Sequence, residues 1–139
     1  MTETMLPTKP VENWQQVRDE WVAEINRLFA EVEGWAQHRG WGTLRDEKTL
    51  GEERLGSYRV PVLLVHTPQG RLLLEPIAQG VFEADGLIDL NRYPSFDCLV
   101  SIIRKNGGWW FRDRIHDNPD CPWSEASFVE MANRTLEAS

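Results

Sequence analysis

The chain is poor in the features that most often disclose a function. It has two cysteines in 139 residues, Cys98 and Cys121. That is too few for a disulfide framework, and in a reducing compartment both read as free thiols. Long apolar runs are missing as well. The longest extends from about Val60 to Val65 and ends at His66, whereas a membrane-spanning helix needs about 20 such residues. Residues 1–10 carry Glu3 and Lys9 and have no apolar core of signal-peptide length. The expectation is a soluble, cytoplasmic protein with no membrane partner. There is no Gly-Lys-Ser or Gly-Lys-Thr, and no Gly-x-Gly-x-x-Gly opening a helix. Gly-x-Ser-x-Gly and His-Glu-x-x-His are absent too. Nothing therefore points to a cofactor. No repeat of fixed period appears, which excludes a repeat array.

What is present suits one globular domain. The hydrophobic share is 41% and the charged share 27%, both ordinary for a folded soluble chain. A chain of this length buries enough surface to hold a core without staples. We read 1–9 as a tail and 10–139 as a single domain. The net charge is −7, which argues against a generic phosphate-backbone binder. Arginine outnumbers lysine twelve to three. A GC-rich genome is the plainer origin; planar or stacked contacts that lysine cannot make are the sharper one. Tryptophan occurs seven times, well above common usage.

Periodicity supplies the fold class. Trp14, Val17, Trp21, Ile25, Leu28, Val32 and Trp35 recur every three or four residues, one stripe of a helix. Pro10 suits its first turn, and Gly34 stands near its expected end. Residues 36–57 are polar and read as a connector. From Tyr58 the texture turns to β. Thr67-Pro68-Gln69-Gly70, Asp85-Gly86 and Asn106-Gly107-Gly108 are turn signals between short strands. The strands run from about 58–65, 71–78, 81–82, 87–90, 96–104 and 109–114. Pro61 and Pro76 mark edges or bulges. Ser124 caps a last helix through Glu137, with Phe128, Met131, Ala132, Thr135 and Leu136 inward. The expected architecture is α+β: a long N-terminal helix, a five- to six-stranded antiparallel meander and a C-terminal helix packed on the sheet.

Several constellations bear on chemistry. The segment Arg104 to Arg114 is locally basic and carries Arg104, Lys105, Arg112 and Arg114 around Trp109 and Trp110. Adjacent strand residues face opposite sides. One indole is therefore expected in the core and the other, Trp110, beside the cations. There it either stacks on a partner or is shielded by arginine stems; shielding is the plainer reading. A second possibility is a carboxylate trio of Glu75, Asp89 and Asp97 holding Mg²⁺. This layout resembles that of restriction-endonuclease-like nucleases, which carry an acid-x-lysine pair on a strand. Here the equivalent place reads Glu75-Pro76-Ile77, without the lysine, and the chain is not assigned to that family. Solvated carboxylates are the plainer reading. His116 and Cys121 are the closest pair of soft ligands, weak candidates for zinc because structural sites bring their ligands in tighter pairs. A Cys–His nucleophile built from Cys98 or Cys121 with His66 or His116 is disfavoured: in a strand the Cys98 thiol acts as a small apolar group, and the acids near Cys121 tend to raise its pKa.

The resulting expectation is a small non-catalytic domain that binds another protein or itself, using Arg104, Lys105, Trp110, Arg112 and Arg114. Nucleic acid is not expected as a partner of the chain as a whole; the hairpin at 104–114 is the one place suited to it. The alternative is a small Mg²⁺-dependent hydrolase or a cavity-type ligand binder centred on Glu75, Asp89 and Asp97.

Overall fold

A computed structural model describes residues 13–81 and 84–137. The expected tail, Pro10 and Phe82 lie outside the described residues. The first helix, α1, spans Trp14–His38, and Asn13 caps it by accepting a hydrogen bond from the Gln16 N–H at 3.2 Å. Gly34 does not end it. The helix runs one turn further and closes on Gly40, whose φ of +72° suits the left-handed stop. Buried on α1 are Trp21, Ile25, Leu28 and Val32 from the middle of the expected stripe, together with Phe29 and Ala36, which lie outside it.

Seven strands follow: β1 (Gly42–Glu52), β2 (Gly56–Thr67), β3 (Gly70–Ala78), β4 (Leu87–Tyr93), β5 (Cys98–Lys105), β6 (Gly108–Asp113) and β7 (Cys121–Pro122). They form one antiparallel sheet in sequence order. The α+β reading holds, with more strands than the five or six expected. β1 occupies the segment read as a polar connector. Arg45, Asp46, Glu47 and Lys48 are consecutive in it, so the sequence shows no alternation there. β1 is an edge strand whose free side nothing pairs among the described residues, and charge is common on such edges. The expected strand at 81–82 is replaced, among the described residues, by a single bridge between Val81 and Ala84. The turn between β5 and β6 is formed by Asn106 and Gly107, both at positive φ, as a two-residue hairpin loop requires.

The last helix, α2, spans Glu125–Glu137. Both helices pack on the same face of the sheet: α1 against β1 and β2, α2 against β3, β4 and β5. Trp35 of α1 meets Phe128 of α2 at 5.8 Å and Trp123 at 5.2 Å between ring centres. Beneath them Leu63, Leu74, Ile88, Leu90 and Ile102 are fully buried. In β2 the buried positions change parity, from Tyr58 and Val60 to Leu63 and Val65. The change falls where β2 parts from β3, whose last partners are Leu63 and Leu74. Beyond that point β1 and β2 continue as a two-stranded ribbon, which twists more strongly than a wide sheet. Pro61 lies in that ribbon, so on the β3 side its missing N–H forfeits no ladder bond; Pro76 sits at the register shift between β3 and β4.

The ribbon is tied down at its far end. Glu52 accepts hydrogen bonds from the Tyr58 hydroxyl and from the backbone N–H groups of Gln79 and Gly80 at 3.0 and 3.1 Å. Burial, then the Glu52 carboxylate, push the Tyr58 hydroxyl well above its ordinary pKa. Trp21 packs 6.2 Å from Trp109 and lies across Gly86, where a Cβ would fall 2.2 Å from the indole.

These contacts predict opposite outcomes for two glycines. Gly86→Ala must displace Trp21 and is expected to lose about 1–3 kcal/mol. Gly34→Ala, with nothing within 4 Å of its added methyl, is expected to gain about 0.5–1 kcal/mol from helix propensity. Chemical denaturation of the two variants checks both signs.

Candidate binding face

With both helices on one side, no helix among the described residues covers the other side of the sheet. Cross-strand partners assign the residues to it. Glu75 faces Asp89, Asp89 faces Ser101, and Ser101 faces Arg112. One step along, Leu87 faces Ile103, which faces Trp110. The alternate set Ile88, Ile102 and Phe111 points into the core.

This alternation divides the basic hairpin. Lys105, Trp110 and Arg112 lie on the open face, and Arg114 joins them. Arg104 does not: it is opposite Trp109 on the helix side, 3.6 Å from Glu24. Trp110 is half-buried beneath Lys105, whose ammonium stands 5.4 Å from the ring centre, a cation–π contact made by the lysine where arginine stems were expected. Asp120 gathers the cations. It accepts from Lys105 Nζ at 2.6 Å and, bidentately, from Arg112 at 3.0 and 2.9 Å. Those bonds, Arg112's first, hold its carboxyl down at about 2. Arg114 approaches Asp89 Oδ1 and Cys98 Sγ through one nitrogen, each at 3.3 Å.

The carboxylate trio is only partly assembled. Glu75 and Asp89 are neighbours across β3 and β4. Each already has partners: Lys48 Nζ at 2.9 Å and Asn91 Nδ2 at 3.2 Å for Glu75, Arg114 and Ser101 for Asp89. Burial raises the Asp89 pKa against the opposing pull of Arg114. Asp97 is exposed in the turn between β4 and β5, where its carbonyl accepts from the Arg92 N–H. Among the described residues no three His, Cys, Asp or Glu side chains are grouped to hold a metal ion. His116 is exposed and bonds Asp113 at 3.2 Å, while Cys121 lies in β7 opposite Phe111. Cys98 is held protonated, first by burial and then by Asp89.

Two features are new. Asp113, almost wholly buried at its side chain, accepts from the backbone N–H groups of Ile115 and His116 at 2.8 and 2.9 Å, from Asn118 Nδ2 at 3.0 Å and from Arg134 at 3.5 Å. The His116 and Ile115 N–H groups hold its carboxyl well below the usual range. It organises the loop after β6, as Asp does when it opens a turn. The second is apolar. Leu44, Val62, Leu64, Leu73 and Tyr93, with Asp46 beside them, line a shallow groove on the open face of β1 to β4, and Phe96 packs edge-on against Tyr93 at 5.6 Å. Leu44 and Phe96 are 61% and 53% exposed. The unbroken run Val62-Leu63-Leu64-Val65 was the available signal, because a strand with one solvated face should alternate. Toward the other edge, a hollow of about 220 Å³ opens among Val81, Leu87, Ser101, Ile103, Arg112 and Arg114.

No protein-family model matches the chain, and no curated protein or solved structure matches it either.

The carboxylate geometry sets a pH dependence. Folding lowers the pKa of Asp120 and Asp113. Their contribution is therefore complete above the unfolded value near 4 and is lost in acid, Asp120's as pH falls through about 2 and Asp113's further down. Denaturation curves between pH 5 and pH 2 should show stability falling with acid. Asp120→Asn should cost about 1–2 kcal/mol at pH 7 and flatten that limb. Mg²⁺ or Mn²⁺ is expected to leave the melting temperature unchanged, since Glu75 and Asp89 already have protein partners; a rise that Glu75→Gln abolishes would restore the metal reading.

Proposed function

We propose that this chain is a non-catalytic domain that binds another protein through the helix-free face of its sheet. The observation that carries the reading is the apolar groove on that face, with Leu44 and Phe96 more than half exposed beside Val62, Leu64, Leu73 and Tyr93. Contiguous apolar surface of this kind is characteristic of contact sites. The basic hairpin belongs to the same face, but most of its charge is neutralised within the protein by Asp120 and Asp89. It supplies a polar border and Trp110, while the apolar groove supplies the area. The hairpin accordingly gives little support to nucleic-acid binding.

The reading is tested with Leu64→Lys and Leu73→Lys together. Both side chains point away from the core, but they are half-buried and face each other across β2 and β3; like charges there should cost about 1 kcal/mol, and a thermal melt checks that the double variant still folds. Cross-linking in lysate, read by mass spectrometry, should recover a partner with the wild-type chain and lose it with the double variant. A wild-type chain that is monomeric and cross-links to nothing above background, or a double variant that keeps every partner, would sink the proposal.

A further inference from the structure

The apolar groove on β1 to β4 is ordered by its strand register. Leu44 of β1, Leu64 of β2 and Leu73 of β3 are successive cross-strand partners and form an apolar band straight across the three strands. One repeat along in one direction stand Asp46, Val62 and Glu75. One repeat along in the other stand His66, Arg71 and Tyr93, again successive partners. Strand side chains return to the same face at every second residue, so all three rows share the open face. The leucine band therefore has acids along one border and Arg71 along the other. Asp46 and Arg71 are exposed, and the Arg71 guanidinium lies 5.1 Å from the centre of the Tyr93 ring. Glu75 accepts from Lys48 at 2.9 Å and from Asn91 at 3.2 Å, yet its side chain is 26% exposed. A carboxylate offers about four lone-pair sites, so this one can take a further cation.

We infer that the groove seats a second copy of this chain, related to the first by a two-fold axis lying along the leucine band. A half-turn about that line reverses the strand direction and keeps each strand over its own counterpart. Leu44, Leu64 and Leu73 then meet their equivalents, and Arg71 of each copy comes over Glu75 of the other. An apolar line with unlike charges on its two borders is complementary to itself in this orientation, which is the isologous pairing of closed dimers. Borders of one sign would repel their own copy. Two sheets stacked face to face keep their strand directions within about 30°, and the stacking takes Leu44, 61% exposed, out of water. The net charge of −7 on each copy opposes association. It is screened beyond about 8 Å at physiological ionic strength, so the charges bordering the band set the orientation. This inference rests on the proposed use of the open face and names its occupant.

Sedimentation equilibrium of the full chain should give a dimer at the upper end of the micromolar range. In a mixture of ¹³C-labelled and unlabelled chains, isotope-filtered NOEs should join the Leu64 and Leu73 methyl groups of one copy to those of the other. Arg71→Glu and Glu75→Arg should each weaken the dimer at least about tenfold, because like charges then meet twice. Mixed together, the two variants should pair with each other, since both contacts return with their signs exchanged. Thermal melts check that each variant folds. Should Glu75→Arg fail to fold, Leu64→Ala, which alters no charge, is expected to weaken the dimer about tenfold. A wild-type chain that stays monomeric, NOEs between copies that leave out Leu64 and Leu73, folded charge variants that pair no better together than apart, or an undiminished Leu64→Ala dimer would each overturn the inference. With a monomeric chain, a different protein recovered from lysate would be the occupant, or NOEs from Leu64 to residues 1–12 would give the groove to the chain's own first residues. The two readings fail separately. If the wild-type chain is monomeric while the Leu64→Lys, Leu73→Lys chain loses a lysate partner, the face is right and the second copy wrong. If the dimer survives both lysines, the copies meet on another surface.

Discussion

Both helices of this chain lie against one face of its sheet, and most other features of the molecule depend on that allocation. A seven-stranded sheet has two faces to shield. The core can be assembled on one of them because α1 and α2 meet through Trp35, Trp123 and Phe128. Their union leaves a single continuous interior from Trp21 to Leu136. The cost is a second face that water must cover. Its centre manages this with charge. Lys48, Glu75, Asp89, Ser101, Arg112 and Arg114 pair across β1 to β6. The groove on β1 to β4 does not, and Leu44 stands there in solvent beside half-buried Leu64 and Leu73.

The paired charges also explain why the most conspicuous segment of the sequence became the least available one. Between Arg104 and Arg114 the chain has four cations and one acid. Folding sends Arg104 to the helix side, brings Asp120 from a loop to Lys105 and Arg112, and sets Arg114 near Asp89. Each movement follows from strand alternation or from a residue distant in sequence. Asp120 sits close to Arg112 along the chain, but its role required the β7 turn to carry it back over β6. The surface that results is only weakly positive.

The helices, the meander order and the turns at 67–70 and 106–107 were legible because they rest on local signals: a stripe at helical spacing, and Asn-Gly between apolar runs. β1 was hidden for a physical reason. An edge strand needs no apolar face to be held, and Arg45 fastens this one to Glu33 and Asn26 of α1 by hydrogen bonds that no pattern displays. Two of the three suspected carboxylates do adjoin, because register places Glu75 opposite Asp89. Asp97 falls in a turn, outside that ladder. The apolar groove went unread because β2 looked like an ordinary buried strand, and only the position of the helices shows which half of Val62-Leu63-Leu64-Val65 is wet. Asp113 could have been suspected from its place ahead of a loop, but its burial depends on α2.

The two borders of the sheet have a bearing on how the molecule lives among its neighbours. At one border β7 covers two residues of β6 and then turns into α2. At the other, β1 presents four successive charged residues beside a backbone edge that nothing pairs among the described residues. Another extended chain that tried to continue the ladder would have to strip water from those charges. Growth strand by strand, the route by which sheets become fibrils, is discouraged on both sides. Contact is left to the flat of the sheet, where association stops once one face is covered. Charge along that border thus works against the chain becoming a template for its own polymer.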